Sequence, residues 1–368
     1  MRKNLFNIKK WIYPSFAKRT RCCYLLLCLM FSGMYGGGLL FSQDAHYSQF
    51  FNSPLTINPA NTGIFNGDVR VSTLYRMQWF TITNPFKTAS IALDAPIFKK
   101  KMTGDDFISA GLNVVNDNQG SVNLVTNSYN GLFSYSKFLG GKKLHYLTFG
   151  YEMGYNIKSL SLGSIKYDSQ YDPNTGGYSA THGISENYGG SASFLDMSTG
   201  IVWNFNSDRK LRNALGFALH HITSPNVSII GRTDKLLRKY SFQWNMAYKL
   251  GYNSNAVLLP SLLVSKQGGT LLINGGTNIK YLLQERSKYT GYHSERSMTL
   301  GAFYRYKDAA FLNLRLDYED FAFAVAYDIN ISDLTPVSKS IGGFELMLQY
   351  RGMYGFNKNK KRSSIKFM

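Results

Sequence analysis

The chain has 368 residues, 44% of them hydrophobic and 15% aromatic, and its 41 Lys and Arg outweigh 22 Asp and Glu for a net charge of +19. All three cysteines (Cys22, Cys23, Cys28) lie near the N-terminus, which excludes a disulfide framework or a Cys-ligated metal in the rest of the chain. A balance this basic raises nucleic acid as a partner. However, most cations are scattered singly and the dense run is C-terminal, so an anionic envelope surface is the expected counterpart and no nucleic acid is.

Residues 1–42 read as a cleaved export signal. Arg2, Lys3, Lys9, Lys10, Lys18, Arg19 and Arg21 come with no acid, an apolar run from Cys22 to Phe41 follows, and Ser42-Gln43-Asp44 begins a polar stretch. The glycines Gly36 to Gly38 weaken the run as a retained anchor, and Leu27 before Cys28 does not fit a lipoprotein site. Cleavage is expected after Ser42. No later stretch approaches eighteen consecutive apolar residues, yet there are 26 Tyr and 25 Phe. Many aromatics without long apolar runs predict an outer-membrane β-barrel.

Residues 43–66 have no clean period. Pro54 and Pro59 interrupt any helix or central strand, and Asn58-Pro59 with Asn61-Thr62-Gly63 is turn chemistry. The stretch predicts an irregular plug or docking segment. From residue 67 to 350 the pattern is dyad alternation. Leu147, Phe149, Tyr151, Met153 and Tyr155 share one face, opposite Thr148, Gly150, Glu152, Gly154 and Asn156. Leu312, Leu314, Leu316 and Tyr318 oppose Asn313, Arg315 and Asp317, and Phe344, Leu346, Leu348 and Tyr350 oppose Glu345, Met347 and Gln349. Period two means strand, and charge belongs in the lumen, so the apolar faces point to lipid.

Fourteen antiparallel strands are predicted, beginning near residues 67, 87, 105, 125, 143, 190, 209, 238, 255, 269, 294, 309, 320 and 340. An even count puts both termini on the periplasmic side. The connections at 161–189 and 224–237 then lie outside, and the acid-free basic tail 351–368 lies in the periplasm. Small lumen-face residues (Gly150, Gly154, Ala214, Gly216, Ala218, Ala322, Ala324, Ala326) leave room for an occupant, for which 43–66 is the candidate.

Catalytic and metal motifs are weak. His220 and His221 face opposite ways on a regular strand and cannot share an ion, so a hydrogen-bonding role is expected. Asp328, Asn330 and Ser332 open like a calcium loop, but Asp333 stands where glycine is needed and Lys339 where the closing acid is needed, leaving an Asx-type turn. Gly140-Gly141-Lys142 reads as a hairpin. The carboxylates Asp105-Asp106 and Asp317, Glu319, Asp320 fall at strand ends as solvated charges. No nucleophile–base arrangement stands out, so no enzyme, cofactor or metal is expected. In Tyr75-Arg76-Met77-Gln78-Trp79, alternation sends Tyr75, Met77 and Trp79 outward to an aromatic girdle. Arg76 and Gln78 then face the lumen, where Arg76 would bind carboxylates or carbonyls of a plug or guest segment.

Tyr47-Ser48-Gln49-Phe50, Asn58-Pro59-Ala60, Tyr75 to Trp79, Pro85-Phe86-Lys87-Thr88 and Asp94-Ala95-Pro96 resemble the PorP/SprF family of outer-membrane proteins associated with type IX secretion. Further islands are Asn118-Gln119-Gly120, Asp196 to Ile201, His220 to Pro225, Tyr304 to Ala309, Tyr327 to Leu334 and Gly342 to Glu345. The resemblance implies a fourteen-strand barrel that supports export or surface anchoring of a secreted passenger, such as a gliding adhesin, by recognising its C-terminal region. It implies as partners that passenger, other type IX or gliding-machinery components, and outer-membrane lipid. The expected partner- or plug-binding residues are Tyr47, Gln49, Phe50, Asn58, Pro59, Arg76, Gln78, Trp79, Pro85 and Phe86. The competing expectations are a diffusion porin or small-molecule transporter, and an outer-membrane lipase or protease.

Overall fold

The computed structural model describes residues 44–81, 84–97, 106–120, 124–139, 145–160, 171–178, 190–206, 211–229, 233–251, 254–284, 296–332 and 335–352. The export-signal region, Asp105, Gly140-Gly141-Lys142, most of 161–189 and the tail beyond Gly352 lie outside these residues.

Fourteen strands form one closed barrel in which every neighbour is antiparallel and, apart from the closing pair, sequential. They are β1 (Val69–Gln78), β2 (Phe86–Pro96), β3 (Phe107–Gln119), β4 (Leu124–Leu139), β5 (His145–Leu160), β6 (Gly190–Asn206), β7 (Leu211–His220), β8 (Lys239–Lys249), β9 (Ala256–Gln267), β10 (Thr270–Gln284), β11 (Arg296–Arg305), β12 (Ala309–Tyr318), β13 (Phe321–Asn330) and β14 (Ile341–Gly352). Each predicted start falls within two residues of the observed one. Closure is made by β1 on β14, from Val69 opposite Gly352 to Gln78 opposite Gly343. Closure matters because an open sheet edge in lipid would leave backbone polar groups unpaired.

The faces divide as the alternation requires. Leu312, Leu314, Leu316 and Tyr318 are exposed outward, while Asn313 and Asp317 between them are buried in the interior. The same phase exposes Phe149, Tyr151, Met153 and Tyr155 on β5. A band of outward Ile and Leu (Ile91, Leu93, Leu112, Leu300) lies between tyrosines toward either end, such as Tyr240 and Tyr304 at one and Tyr281 and Tyr318 at the other. That is the surface of an outer-membrane barrel. Among the described residues no helix is long and apolar enough to cross a membrane.

β1 begins and β14 ends at the same rim, called here the terminal rim; the opposite one is the far rim. An even strand count brings both ends of the barrel strands to one rim, and Val69 and Gly352 do share it. The segment before β1 does not follow. Asp44 bonds Lys239 and Gln267, at the far-rim ends of β8 and β9, and His221, just past the far end of β7. By Gly63 the chain has reached Asp94 near the terminal end of β2. Residues 44–68 therefore thread the lumen from the far rim to the terminal rim. Strand parity fixes where β1 starts but is silent on what precedes it.

Pro54 and Pro59 also behave differently from expectation. Each opens a short helical turn, Pro54–Ile57 and Pro59–Asn61, at the first position where a missing N–H costs nothing. The longer connection between β7 and β8 folds back on itself: Val227 N donates to Asp234 O at 2.8 Å and Leu236 N to Pro225 O at 2.9 Å.

Candidate functional site

The threaded segment and the wall around it form the candidate site, built in four levels from the far rim down. At the top, Asp44 accepts from Lys239 Nζ at 2.7 Å and pairs with His221 Nε2 at 2.8 Å, while His221 Nδ1 pairs with Asp196 at 2.6 Å. His221 is not on a regular strand position. Its φ of 58° ends β7 and swings the ring inward, so the expectation that His220 and His221 face opposite ways fails. His220 Nε2 meets Ile57 O at 2.9 Å, and both histidines thus hold the segment. Burial lowers the proton affinity of His221, but Asp44 and Asp196 more than reverse this and raise its pKa to about 9. Burial likewise disfavours an ionised Asp44, yet Lys239 and His221 together hold its carboxyl well below the usual range.

The second level is a buried ion cluster. Arg76 donates to Glu345 at 3.0 Å and to Asp328 at 3.3 Å, and Arg305 donates to Asp328 at 2.9 Å. Arg305 also pairs with Asp308 in the following turn. All of these but Asp308 are nearly inaccessible. The segment completes the cluster. Arg76 donates to His46 O at 2.6 Å, Ser48 Oγ donates to Asp328 at 2.6 Å, and the Ser48 and Gln49 amides donate to the two oxygens of Glu345 at 2.6 and 2.9 Å. Asp328 is therefore a wall carboxylate facing two arginines, and the Asx-turn expectation for it is wrong. An interior strand position turns the side chain away from its own backbone.

Below this the contacts are apolar. Tyr47 packs with Leu74, Met347, Ala322 and Ala324. Phe50 and Ile57 pack with Leu263, Phe303, Phe311 and Ala326. The alanine stripe of β13 thus makes room for Tyr47 and Phe50, as its small size implied. Gly150, Gly200 and Gly216 do the same for the next turn. A Cβ at Gly150 would sit 2.1 Å from Ala60 N, and one at Gly200 would sit 2.0 Å from Asn58 Oδ1. Asn58 uses this approach fully. Its Oδ1 accepts from Ala60 N at 2.9 Å, and its Nδ2 donates to Ile201 O at 3.3 Å and Phe217 O at 3.2 Å.

The last level leads into β1. Gly63, at φ 73°, donates its amide to Asp94 at 2.7 Å, and Arg70 grips the same carboxylate through two bonds of 2.8 and 2.7 Å. Arg70 also lies over the Phe65 ring at 4.7 Å. A cavity of about 10 Å³ beside Pro54 and Leu55, against Arg70, Ser72 and Leu74, is room for about one water.

Of the ten expected site residues, seven meet here. Tyr47, Gln49, Phe50, Asn58 and Pro59 lie on the segment, Arg76 binds it, and the Gln78 side-chain amide lies against Arg76. Trp79, Pro85 and Phe86 do not join them. β1 stops at Gln78, Trp79 adopts φ 55°, and its ring meets Phe86 edge-on at 4.8 Å in the rim turn. The girdle position expected for Trp79 assumed an alternation that ends one residue earlier. Sequence reasoning missed Arg70, Asp94, Arg305, Asp328 and Glu345 as segment-fastening residues. Their signal in the sequence is charge on the lumen phase of a strand, the same signal that orients Arg315 and Asp317.

Among the described residues no group of three or more His, Cys, Asp or Glu is placed to hold a metal. What the arrangement does is fasten a peptide segment inside a barrel. Solved structures with a similar barrel include the Ralstonia pickettii toluene transporter TbuX (TM-score 0.46, 9% identity, covering 82% of this chain and 94% of that one). Another is a Pseudomonas aeruginosa FadL homologue (TM-score 0.43, 12% identity, covering 86% and 96%). No curated protein matches the chain in sequence. The model of the type IX secretion system membrane protein PorP/SprF matches residues 39–350, nearly the whole barrel and its lumen segment, and the chain belongs to that family.

Proposed function

We propose that this barrel supports the export or surface anchoring of a specific secreted passenger, such as a gliding adhesin, by recognising the passenger's C-terminal region. The single observation that carries the reading is the fastened lumen segment. Asp44 to Gly63 is bonded to many of the strands around the barrel, which supports an interior that holds a peptide over one that serves as a water-filled path. A barrel whose wall already binds an extended peptide through carboxylates, guanidinia and glycine-made hollows has the chemistry to hold a guest peptide at its rims. Family membership brings association with other secretion components, and the passenger is the specific part of the proposal. Maturation by cleavage near Ser42 belongs to the same reading.

Affinity isolation of the tagged protein from crosslinked native membranes, followed by mass spectrometry, tests it. The expected result is enrichment of one secreted protein through peptides from its C-terminal region, with that protein lost from the surface or medium of a deletion strain. An unchanged set of secreted proteins, with lost uptake of a small solute instead, would overturn it in favour of a transporter.

A further inference from the structure

A second feature lies outside the lumen, at the far rim of β8 and β9. A groove of about 410 Å³ has Lys235, Leu236, Leu237, Arg238, Tyr240 and Lys266 among its lining residues. Tyr240 and Lys266 are direct cross-strand partners, and the neighbouring pair Ser241 and Ser265 is buried on the lumen side. Lys266 therefore stands on the lipid-facing phase of β9. Phe242, opposite Val264, is exposed on the same face two residues further into the bilayer band.

A lysine on that face is tolerated only at the membrane interface, where its stem runs along apolar surface and its ammonium reaches the headgroups. Lys235 and Arg238 join it there from the connection that precedes β8. The backbone around Lys235 is held by the Val227–Asp234 and Leu236–Pro225 bonds and the bridge between Asn226 and Lys235, and beside Arg238 the Leu237 carbonyl accepts from Gln267 Nε2 at 3.3 Å. Lys239, next in sequence, turns the other way to Asp44. Among the described residues that line the groove, none is a carboxylate.

We infer that this groove is a binding site for the phosphorylated headgroup of a membrane lipid in the leaflet that meets the far rim. The three cations match an anionic phosphate, with the Arg238 fork suited to two of its oxygens. Leu236, Leu237 and Tyr240 match the first methylenes below the headgroup. A soluble anion would use the cations but not the apolar wall, which continues into the hydrocarbon band through Phe242.

Native mass spectrometry of the purified, detergent-solubilised barrel would test this, using phosphatidylglycerol and phosphatidylcholine of the same acyl chains. Wild-type protein should retain one phosphatidylglycerol in preference to phosphatidylcholine, and raised salt should weaken retention. The triple variant Lys235→Gln, Arg238→Gln, Lys266→Gln should bind phosphatidylglycerol about a hundredfold more weakly. The control Lys137→Gln, Lys249→Gln, at the terminal ends of β4 and β8, should bind like wild type. Equal retention of both lipids, or an unaltered triple variant, would overturn the inference. Displacement of the lipid by millimolar inorganic phosphate would mark a free-anion site and overturn it too. If the triple variant does not fold, Lys266→Gln alone and the wild-type salt dependence decide, salt-independent retention counting against the site.

Discussion

At position 150 the absence of a side chain sets how close the segment comes to the wall. A Cβ there would overlap the backbone at Pro59 and Ala60, which cannot yield without moving the whole turn. At Gly154 the nearest atom to a new Cβ is the tip of the Asn130 side chain, which can rotate away. Gly150→Val is therefore expected to expel the Asn58–Ala60 turn, seen as new protease cleavage near residues 58–62 in a barrel that still migrates as folded. Gly154→Ala should leave the cleavage pattern unchanged. Arg76 gives a second contrast. Arg76→Ala leaves Glu345 and half of Asp328's compensation buried without their partner, and breaking a buried pair this way costs about 3–5 kcal/mol. Replacing Arg76 by Met together with Glu345→Gln removes both charges, keeps an acceptor oxygen for the Ser48 and Gln49 amides, and should cost less than the single change. Thermal unfolding of heat-modifiable barrel on gels measures both, and a double variant weaker than Arg76→Ala would contradict the ion-cluster account.

As an element, the segment is a tether fastened at both ends, and its upper fastening titrates. His221 has a raised pKa of about 9, so its contribution is fully present below its unfolded value near 6.5 and is lost as pH rises through about 9. Asp44 has a depressed pKa, so its share is present above the unfolded value near 4 and is lost as pH falls below it. Asp196, Lys239, Gln267 and, more distantly, Glu152 face the same cluster. Release of the Asp44 end is expected above about pH 9, and His221→Gln should release it at neutral pH; hydrogen exchange over residues 44–49 reports this. Deleting residues 43–63 should raise the conductance of reconstituted barrels, whereas an unchanged conductance would mean that something else fills the lumen. The strands were legible in the sequence because a period of two acts residue by residue on a lipid-exposed wall. The inward phase of Arg76 and the small β13 alanines were legible for the same reason. The docking of Ser48 on Glu345 or Asn58 beside Gly200 was not, since those contacts join positions far apart in sequence through a segment with no period. Left-handed residues such as Trp79 and His221 hid two orientations, because alternation fails where a strand ends.

For the whole molecule the consequence is sidedness. The barrel's strand ends, Val69 and Gly352, share the terminal rim, but threading carries Asp44 and Ala45 to the far rim. If the terminal rim faces the periplasm, as an even-stranded barrel entered from that side requires, a chain beginning near Gln43 displays its first residues at the cell surface. The cysteine distribution makes this measurable, since Cys22, Cys23 and Cys28 all precede Asp44 and a cleaved chain offers a blank background. Ala45→Cys, at an exposed position, is expected to react with a membrane-impermeant maleimide on intact cells. Leu139→Cys, exposed at the terminal end of β4, should react only after permeabilisation. Reaction at both positions only after permeabilisation would mean that the segment does not thread the barrel in the cell. Reaction of Leu139→Cys on intact cells, with Ala45→Cys protected, would invert the barrel. The orientation also constrains assembly, because the segment must enter the lumen before closure of β1 on β14 or pass through the finished barrel. Slowing closure with Gly343→Val, which crowds Met77 O and Gln78 across the seam, should then leave a fraction of folded barrels with Ala45→Cys unreactive from outside.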